Sequence, residues 1–171
     1  MRNANDVKVV RELARQCAEL ANSPIQAERR KLWAAHLSLK KTRPLILATF
    51  GMWNAWCREF FGDAVMKCTD PFCREIERRL RMQIYQQGVG DDSIIDPWFT
   101  WHARGKGDYR ATWGVREGHQ DVIVEGGSWK YDQPLKAWAD VAKLRPLRHE
   151  VDEKGTQEDL ARVQEALGDI L

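Results

Sequence analysis

Two tryptophans at the end of an apolar stretch are the first candidates for ligand binding. In RPLILATFGMWNAW, residues 43–56, Pro44 opens the apolar run, Gly51 breaks it, and Trp53 and Trp56 follow. Aromatic rings line many ligand pockets, where they attract apolar groups and cations. The same rings also act as plain hydrophobic plugs in protein cores. The sequence leaves both interpretations open, and we predict Trp53 and Trp56 as substrate-binding residues.

A second aromatic stretch, SIIDPWFTWHA, contains Trp98 and His102. Histidine titrates near neutral pH and serves as a general base or a metal ligand in many sites. Zinc requires three or four ligands, and His102 has no companion at ligand spacing. A structural role is therefore the simpler interpretation of the histidine. We add Trp98 and His102 to the predicted substrate-binding residues and assign no catalytic residue.

The remaining candidates for metal binding are cysteines and an acidic cluster. The four cysteines show no zinc-type spacing. Asp91, Asp92 and Asp96 in GDDSIID have the oxygen ligands that hard cations prefer, but a turn before a strand also explains them. We therefore predict that this chain holds no metal and no cofactor.

Composition narrows the class of protein. The chain has 171 residues, and its 27 basic residues nearly balance its 25 acidic ones. A nearly balanced charge provides no field to hold a polyanion, so nucleic acid is not an expected partner. The sequence shows neither a signal peptide nor a run of about 20 apolar residues that would span a membrane. A cytoplasmic location is the expectation.

The elements that would position these residues follow from periodicity and capping. Helical spacing predicts helices over residues 6–21, 24–40, 71–88 and 156–171. The predicted caps of the last three helices are Ser23, Asp70 and Thr156. An apolar run predicts a covered parallel strand at 44–49, and β-branched and aromatic residues predict another within SIIDPWFTWHA. The resulting order is that of an α/β fold which begins but does not finish.

Several stretches resemble one family. ELANSPIQAERRKLWAAHLSLKKTRPLIL, CTDPFCREIERRLRMQIYQ, GDDSIIDPWFT and the closing EALGDIL together resemble the N-terminal part of uroporphyrinogen-decarboxylase-like proteins. They are most similar to the branch that resembles corrinoid-dependent methyltransferases. The resemblance runs from about residue 10 to the last residue. It implies the N-terminal helices and first strands of an incomplete TIM-type barrel, a fold that typically needs about 250 residues.

The resemblance also bears on chemistry. In the decarboxylases, two loop arginines hold the substrate carboxylates, and the family spacing places Thr49 and Trp53 at those positions here. Neither side chain can replace a bidentate arginine, so porphyrinogen decarboxylation is not expected. An apolar or cationic ligand, such as a methoxy-aromatic or a methylated amine, suits the tryptophans better. Zinc and a corrinoid protein partner are implied only for a full-length relative.

The predicted organisation is a single domain, residues 1–171. It comprises a helical N-terminal arm (1–42), an α/β segment (43–103), a small β-rich piece (104–131), and a linker with a C-terminal amphipathic helix (132–171).

Three functional hypotheses remain open. The first is a scaffold or substrate-wall segment of a methyltransferase-like enzyme, without the catalytic metal half and inactive alone. The second is a non-enzymatic module that binds a small molecule or a protein. The third is a truncated gene product. The Trp53/Trp56 loop and the apolar stripe of Leu160, Val163, Leu167 and Ile170 would leave exposed apolar surface. We therefore also expect a homodimer in which the C-terminal helix or the sheet edge covers the second copy.

Overall fold

The computed structural model describes residues 3–48, 58–106, 113–116, 118–119, 130–146 and 150–171. The chain divides into two compact units. The first unit comprises Met1–Thr100 and Ala161–Leu171, and the second comprises Trp101–Leu160. Trp53 and Trp56 lie outside the described residues, so the prediction that they bind substrate stays a prediction.

Helices dominate the described residues. They are α1 (Ala4–Ala21), α2 (Pro24–Leu37), α3 (Arg58–Phe61), α4 (Pro71–Val89) and α5 (Glu153–Leu167), with short 3-10 helices at Asp63–Val65 and Trp138–Lys143. The described strands, β1 (Gly118–His119) and β2 (Tyr131–Asp132), form one antiparallel pair in which Gly118 faces Asp132. None of the described helices combines the length and the apolar character needed to cross a membrane.

The first unit is built on the packing of α1 along α4. Apolar residues recur every three or four positions on both helices, which gives each helix one apolar face. Val10, Ala14 and Cys17 on α1 are buried, as are Ile76 and Leu80 on α4. Helix α4 begins at Pro71 as predicted, and Asp70 caps it by accepting a hydrogen bond from the Cys73 backbone N–H at 3.2 Å. Helix α1 begins at Ala4, two residues before the predicted start.

Helix α2 is shorter than predicted. It ends at Leu37 rather than near Lys40, because Leu39 takes a left-handed conformation with φ 57°. The Leu39 N–H donates to the His36 carbonyl and the Lys40 N–H to the Ala35 carbonyl, both at 3.0 Å. This is a Schellman ending with leucine at the position that glycine usually occupies.

The prediction of an α/β fold with the first strands of a TIM-type barrel is wrong. The described chain is mostly helical, and its single pair of two-residue strands forms no barrel. Residues 44–48 pair with no strand among the described residues, and the Ile46 side chain is 65% exposed rather than covered. An apolar run shows that a segment favours burial, but it cannot show that neighbouring strands exist to provide it.

The predicted strand in SIIDPWFTWHA is also wrong, since residues 93–103 have no strand assignment. Side chains take the backbone bonds that a neighbouring strand would have made. The Ile95 N–H donates to Gln26 Oε1 at 2.9 Å, and its carbonyl accepts from Arg30 Nη2 at 2.7 Å. Pro97 has no N–H to contribute to a ladder.

The second unit contains the described part of the predicted β-rich piece. Most of residues 104–131 lie outside the described residues. Strands were predicted there within YRATWGV and DVIVEG, and neither coincides with β1 or β2. Arg104 forms a bidentate ion pair with the buried Asp159, with both nitrogen–oxygen distances at 2.6 Å. Trp101 Nε1 donates to the same carboxylate at 3.4 Å. Asp159 of helix α5 thus binds the side chains of Trp101 and Arg104.

Helix α5 begins earlier than predicted. Asp152, not Thr156, precedes it and accepts a hydrogen bond from the Gly155 N–H at 3.1 Å. Val163 and Leu167 are buried, so they cannot be the exposed stripe that we expected to join two copies. Arg11 holds the end of the chain, donating to Asp169 at 2.7 and 2.6 Å.

Candidate functional site

An open groove on the first unit is a candidate ligand site. It lies among helices α1, α3 and α4 and has a volume of about 340 Å³. Its lining consists of three aromatic residues, two aliphatic residues and two polar residues: Leu13, Gln16, Phe60, Phe61, Arg81, Ile84 and Tyr85.

The aromatic wall of the groove is a cluster of three rings. Tyr85 lies 5.6 Å from Phe60 and 5.5 Å from Phe61, measured between ring centroids, and the second contact is edge-to-face. Phe60 and Phe61 are 6.2 Å apart. These separations are typical of favourable aromatic pairs. Phe61 is buried while Phe60 remains 46% exposed, so Phe60 presents its ring at the surface of the groove.

Helical spacing explains how the other lining residues meet. Arg81, Ile84 and Tyr85 lie at positions i, i+3 and i+4 on α4, which places them on one side of the helix. Leu13 and Gln16 lie one turn apart on α1. The Phe61 carbonyl accepts a hydrogen bond from Arg78 Nε at 2.9 Å, which fastens α3 to α4.

The charge at the groove comes from Arg81, which is held by a buried carboxylate. Arg81 Nε donates to Glu77 Oε1 at 2.8 Å, and Glu77 is fully buried. Glu77 also accepts from the backbone N–H groups of Lys67 and Cys68, at 2.8–3.0 Å. Burial raises the pKa of Glu77, but these bonds outweigh burial and hold that pKa below its ordinary value. Glu77 is therefore a charged anchor for Arg81 and for the chain before α4.

Asp6 has the same role at the start of α4. Its buried carboxylate accepts hydrogen bonds from the Thr69 and Asp70 backbone N–H groups and from the Thr69 hydroxyl, at 2.8–3.2 Å. Burial raises the pKa of Asp6, but the hydrogen bonds outweigh burial and hold that pKa below its ordinary value. A carboxylate held by this many donors stays ionised and is a structural group rather than a proton donor.

Asp91 and Asp92, which we considered as cation ligands, hold the segment 44–48. Asp92 accepts from both Arg43 terminal nitrogens, at 2.7 and 2.5 Å, and from the Ile46 N–H at 2.9 Å. Asp91 accepts from the Ala48 N–H at 2.7 Å. The bond from Arg43 is the main cause that lowers the pKa of Asp92. Within the described ranges, no three His, Cys, Asp or Glu side chains are grouped as ligands for a metal.

The two described residues of the predicted substrate site do not line the groove. Trp98 lies in the first unit with 55% of its surface exposed, and His102 is an exposed residue of the second unit. Sequence reasoning missed the aromatic wall formed by Phe60, Phe61 and Tyr85. The adjacent phenylalanines of REFF were a signal, but their contact with a residue 25 positions later was not visible in local spacing.

The buried cysteines are poor nucleophiles. Burial raises the pKa of Cys17 to about 12 and contributes most to raising that of Cys73 to about 11. Burial also raises the pKa of Cys68, and the neighbouring Glu77 carboxylate adds to the effect. A thiol near a helix N-terminus often has a lowered pKa, but the carboxylate of Asp70 opposes that influence at Cys73.

The chain matches no protein family, no curated protein and no solved structure. The resemblance to uroporphyrinogen-decarboxylase-like proteins therefore stays a prediction that depends on the quoted stretches of sequence.

Proposed function

We propose that the chain is a non-enzymatic binding module whose aromatic groove holds a single-ring aromatic carboxylate, such as a methoxybenzoate. The observation that carries this proposal is the combination of a three-ring wall and one arginine in the same groove. The volume of about 340 Å³ lies at the lower end of the range for small-molecule sites, which suits one substituted ring.

Charge favours an anion over a cation in this groove. The bond from Arg81 to Glu77 uses Nε, so it leaves both terminal nitrogens outside that bond. A guanidinium presents these nitrogens to a carboxylate as a planar fork. A protonated amine has only hydrogen-bond donors, as the guanidinium does, so it cannot form a hydrogen bond with these nitrogens. Of the two ligand types expected from the tryptophans, the methoxy-aromatic type therefore suits this groove, and the methylated amine does not.

The buried carboxylates support a binding role over a catalytic one. Asp6 and Glu77 each accept several hydrogen bonds that fasten backbone or arginine, and their lowered pKa values keep them ionised. A general acid at neutral pH needs a raised pKa instead. We therefore assign these groups to the scaffold of the groove.

The test is a titration of the chain with 4-methoxybenzoate, monitored by calorimetry and by NMR chemical shifts. Benzylamine is titrated in the same way as the cationic counterpart. We expect saturable binding of the benzoate and much weaker binding of the amine. Phe60→Ala removes an exposed part of the wall and should raise the dissociation constant about three- to tenfold, the usual value of one aromatic contact. Trp98→Ala, an equally exposed aromatic change outside the groove, should leave it unchanged. Equal affinity for benzoate and benzylamine, or equal effects of both substitutions, would refute the proposal.

A second candidate follows from the family resemblance, namely a scaffold segment that serves a methyltransferase-like enzyme together with a corrinoid protein. It depends on the resemblance alone, and two of the stretches that carry the resemblance contact each other within the first unit. Asp92 of GDDSIID holds Arg43 of the stretch that ends in RPLIL, and Arg30 of that same stretch donates to the Ile95 carbonyl. Immobilised chain should then bind a purified corrinoid protein but transfer no methyl group alone. Methyl transfer by the chain, or failure to bind several such proteins, would exclude this candidate.

A further inference from the structure

The segment 44–48 forms hydrogen bonds in the alternating pattern of a β-strand, but its partners are three side-chain groups and one backbone N–H in place of a neighbouring strand. The Ile46 N–H donates to Asp92 Oδ2 at 2.9 Å, and the Ile46 carbonyl accepts from the Asp92 N–H at 2.8 Å. Two residues later, the Ala48 N–H donates to Asp91 Oδ2 at 2.7 Å, and the Ala48 carbonyl accepts from Gln86 Nε2 at 3.0 Å. One edge of the segment is therefore fully bonded.

The opposite edge belongs to Leu45 and Leu47. Peptide groups of successive residues in an extended chain point to opposite edges, so the N–H and C=O groups of these two leucines face away from Asp91 and Asp92. Neither leucine has a backbone hydrogen bond to any part of the chain that the structure describes. Two side chains of this segment are also exposed, 65% for Ile46 and 49% for Leu47. An unpaired, apolar edge of this kind is a template for another strand.

We propose that a second copy of this chain pairs with the 45–47 edge as an antiparallel strand around a two-fold axis at Ile46. In this register Leu45 of one copy faces Leu47 of the other, and each such pair exchanges two N–H to carbonyl hydrogen bonds. The two pairs together form four bonds. The edge is therefore self-complementary, which is what a symmetric dimer requires.

Side chains agree with this register. Ile46 faces Ile46 of the second copy as a non-hydrogen-bonded pair, in which the Cα atoms approach to about 4.5 Å. Pairs of β-branched residues at this position stabilise a sheet, whereas like charges directly opposite each other destabilise it. The short contact predicts a weak dimer that forms with increasing concentration. Of the two contacts expected for the homodimer, this is the strand edge and not the C-terminal helix, where Val163 and Leu167 are buried.

Sedimentation equilibrium from about 5 to 500 µM tests the pairing, because a weak dimer should appear over this range. We expect the average mass of the unmodified chain to rise from the 19.8 kDa of the monomer toward twice that value. Ile46→Lys and Ile46→Glu each place like charges on the axis and should raise the dissociation constant at least about tenfold. An equimolar mixture of the two variants should associate again, because it places lysine opposite glutamate.

The control is Leu39→Lys, which adds the same charge at a 95% exposed leucine outside the 45–47 edge. Its average mass should rise with concentration as that of the unmodified chain does. Far-UV circular dichroism verifies that all variants fold. A monomer at every concentration would overturn the proposal, as would a dimer that both Ile46 variants leave intact. A mixture of the variants that stays monomeric would overturn the two-fold register.

Discussion

Arg43 and Asp92 join the segment after α2 to the turn after α4 through a bidentate ion pair, with nitrogen–oxygen distances of 2.7 and 2.5 Å. The turn that presents Asp92 begins at Gly90, which ends α4 with φ 77°. Glycine adopts this left-handed conformation without a steric penalty. The chain reverses there, so that consecutive aspartates reach the backbone of residues 46 and 48.

Asp92→Asn should lower the midpoint of urea unfolding, because an amide cannot accept hydrogen bonds from both Arg43 nitrogens through two oxygens. Asp96→Asn is the matched control in the same unit. Asp96 is more exposed and forms a looser ion pair with Arg30, at 3.7 Å, so its change should have a smaller effect. Equal shifts for both variants would show that the Arg43 pair contributes little to stability.

The pH dependence of stability follows from carboxylates whose pKa is lowered in the folded chain. Hydrogen bonds hold the pKa of Asp6, Glu77, Asp91 and Asp92 below their ordinary values. Their stabilising contribution is complete about one pH unit above the ordinary carboxyl pKa of about 4. It is lost progressively as the pH falls through that value and through the lowered pKa values of the folded chain. Urea unfolding measured from pH 7 down to pH 2.5 should show decreasing stability below about pH 5. A curve that stays level to pH 3 would contradict this expectation.

Glu77→Gln should reduce the free energy of unfolding by about 2–3 kcal/mol. The change places an amide NH₂ where the buried side chain now accepts from Lys67, Cys68 and Arg81. The control Glu75→Gln lies on the same helix and affects half-buried ion pairs with arginine, so it should cost less than about 1 kcal/mol. Chemical denaturation of both variants provides the comparison, and a loss below 1 kcal/mol for Glu77→Gln would refute the anchor role.

Cys17, Cys68 and Cys73 should resist alkylation by iodoacetamide at pH 8 in the folded chain. All three are buried and have raised pKa values, so almost none of their thiols are ionised at that pH. In about 6 M guanidinium chloride, where the chain unfolds, labelling should be complete. Peptide mapping by mass spectrometry separates these sites from Cys57, which lies outside the described residues. Rapid labelling of any one of the three in the folded chain would show that its surroundings open readily.

Local signals in the sequence were sufficient for the long helices. The periodic apolar residues of α1 and the Asp70–Pro71 start of α4 each act within a few residues, so they predicted these helices well. The start of α5 was misplaced because Thr156 resembles a cap as much as Asp152 does. Both residues suit that position, and only the surrounding fold selects between them.

The strands and the site depended on distant contacts. The predicted strand at 44–49 was expected to be covered on both faces. Instead, aspartates more than 40 positions away accept hydrogen bonds from its backbone along one edge. The groove likewise depends on α3 meeting α4, which brings Phe60 against Tyr85. Tertiary contacts of this kind have no period in the sequence, so periodicity could not reveal them.

The hydrogen bonds that Asp91 and Asp92 accept from the backbone of residues 44–48 affect how fast its amide hydrogens exchange with solvent. In a dilute, monomeric sample the Ile46 and Ala48 amide hydrogens are bonded to aspartates and should exchange slowly. Those of Leu45 and Leu47 face away from these aspartates and should exchange quickly. A strand in the interior of a sheet protects every amide in turn, whereas this segment should protect only alternate ones. Deuterium labelling resolved to single residues would thus show slow and fast exchange alternating along the segment.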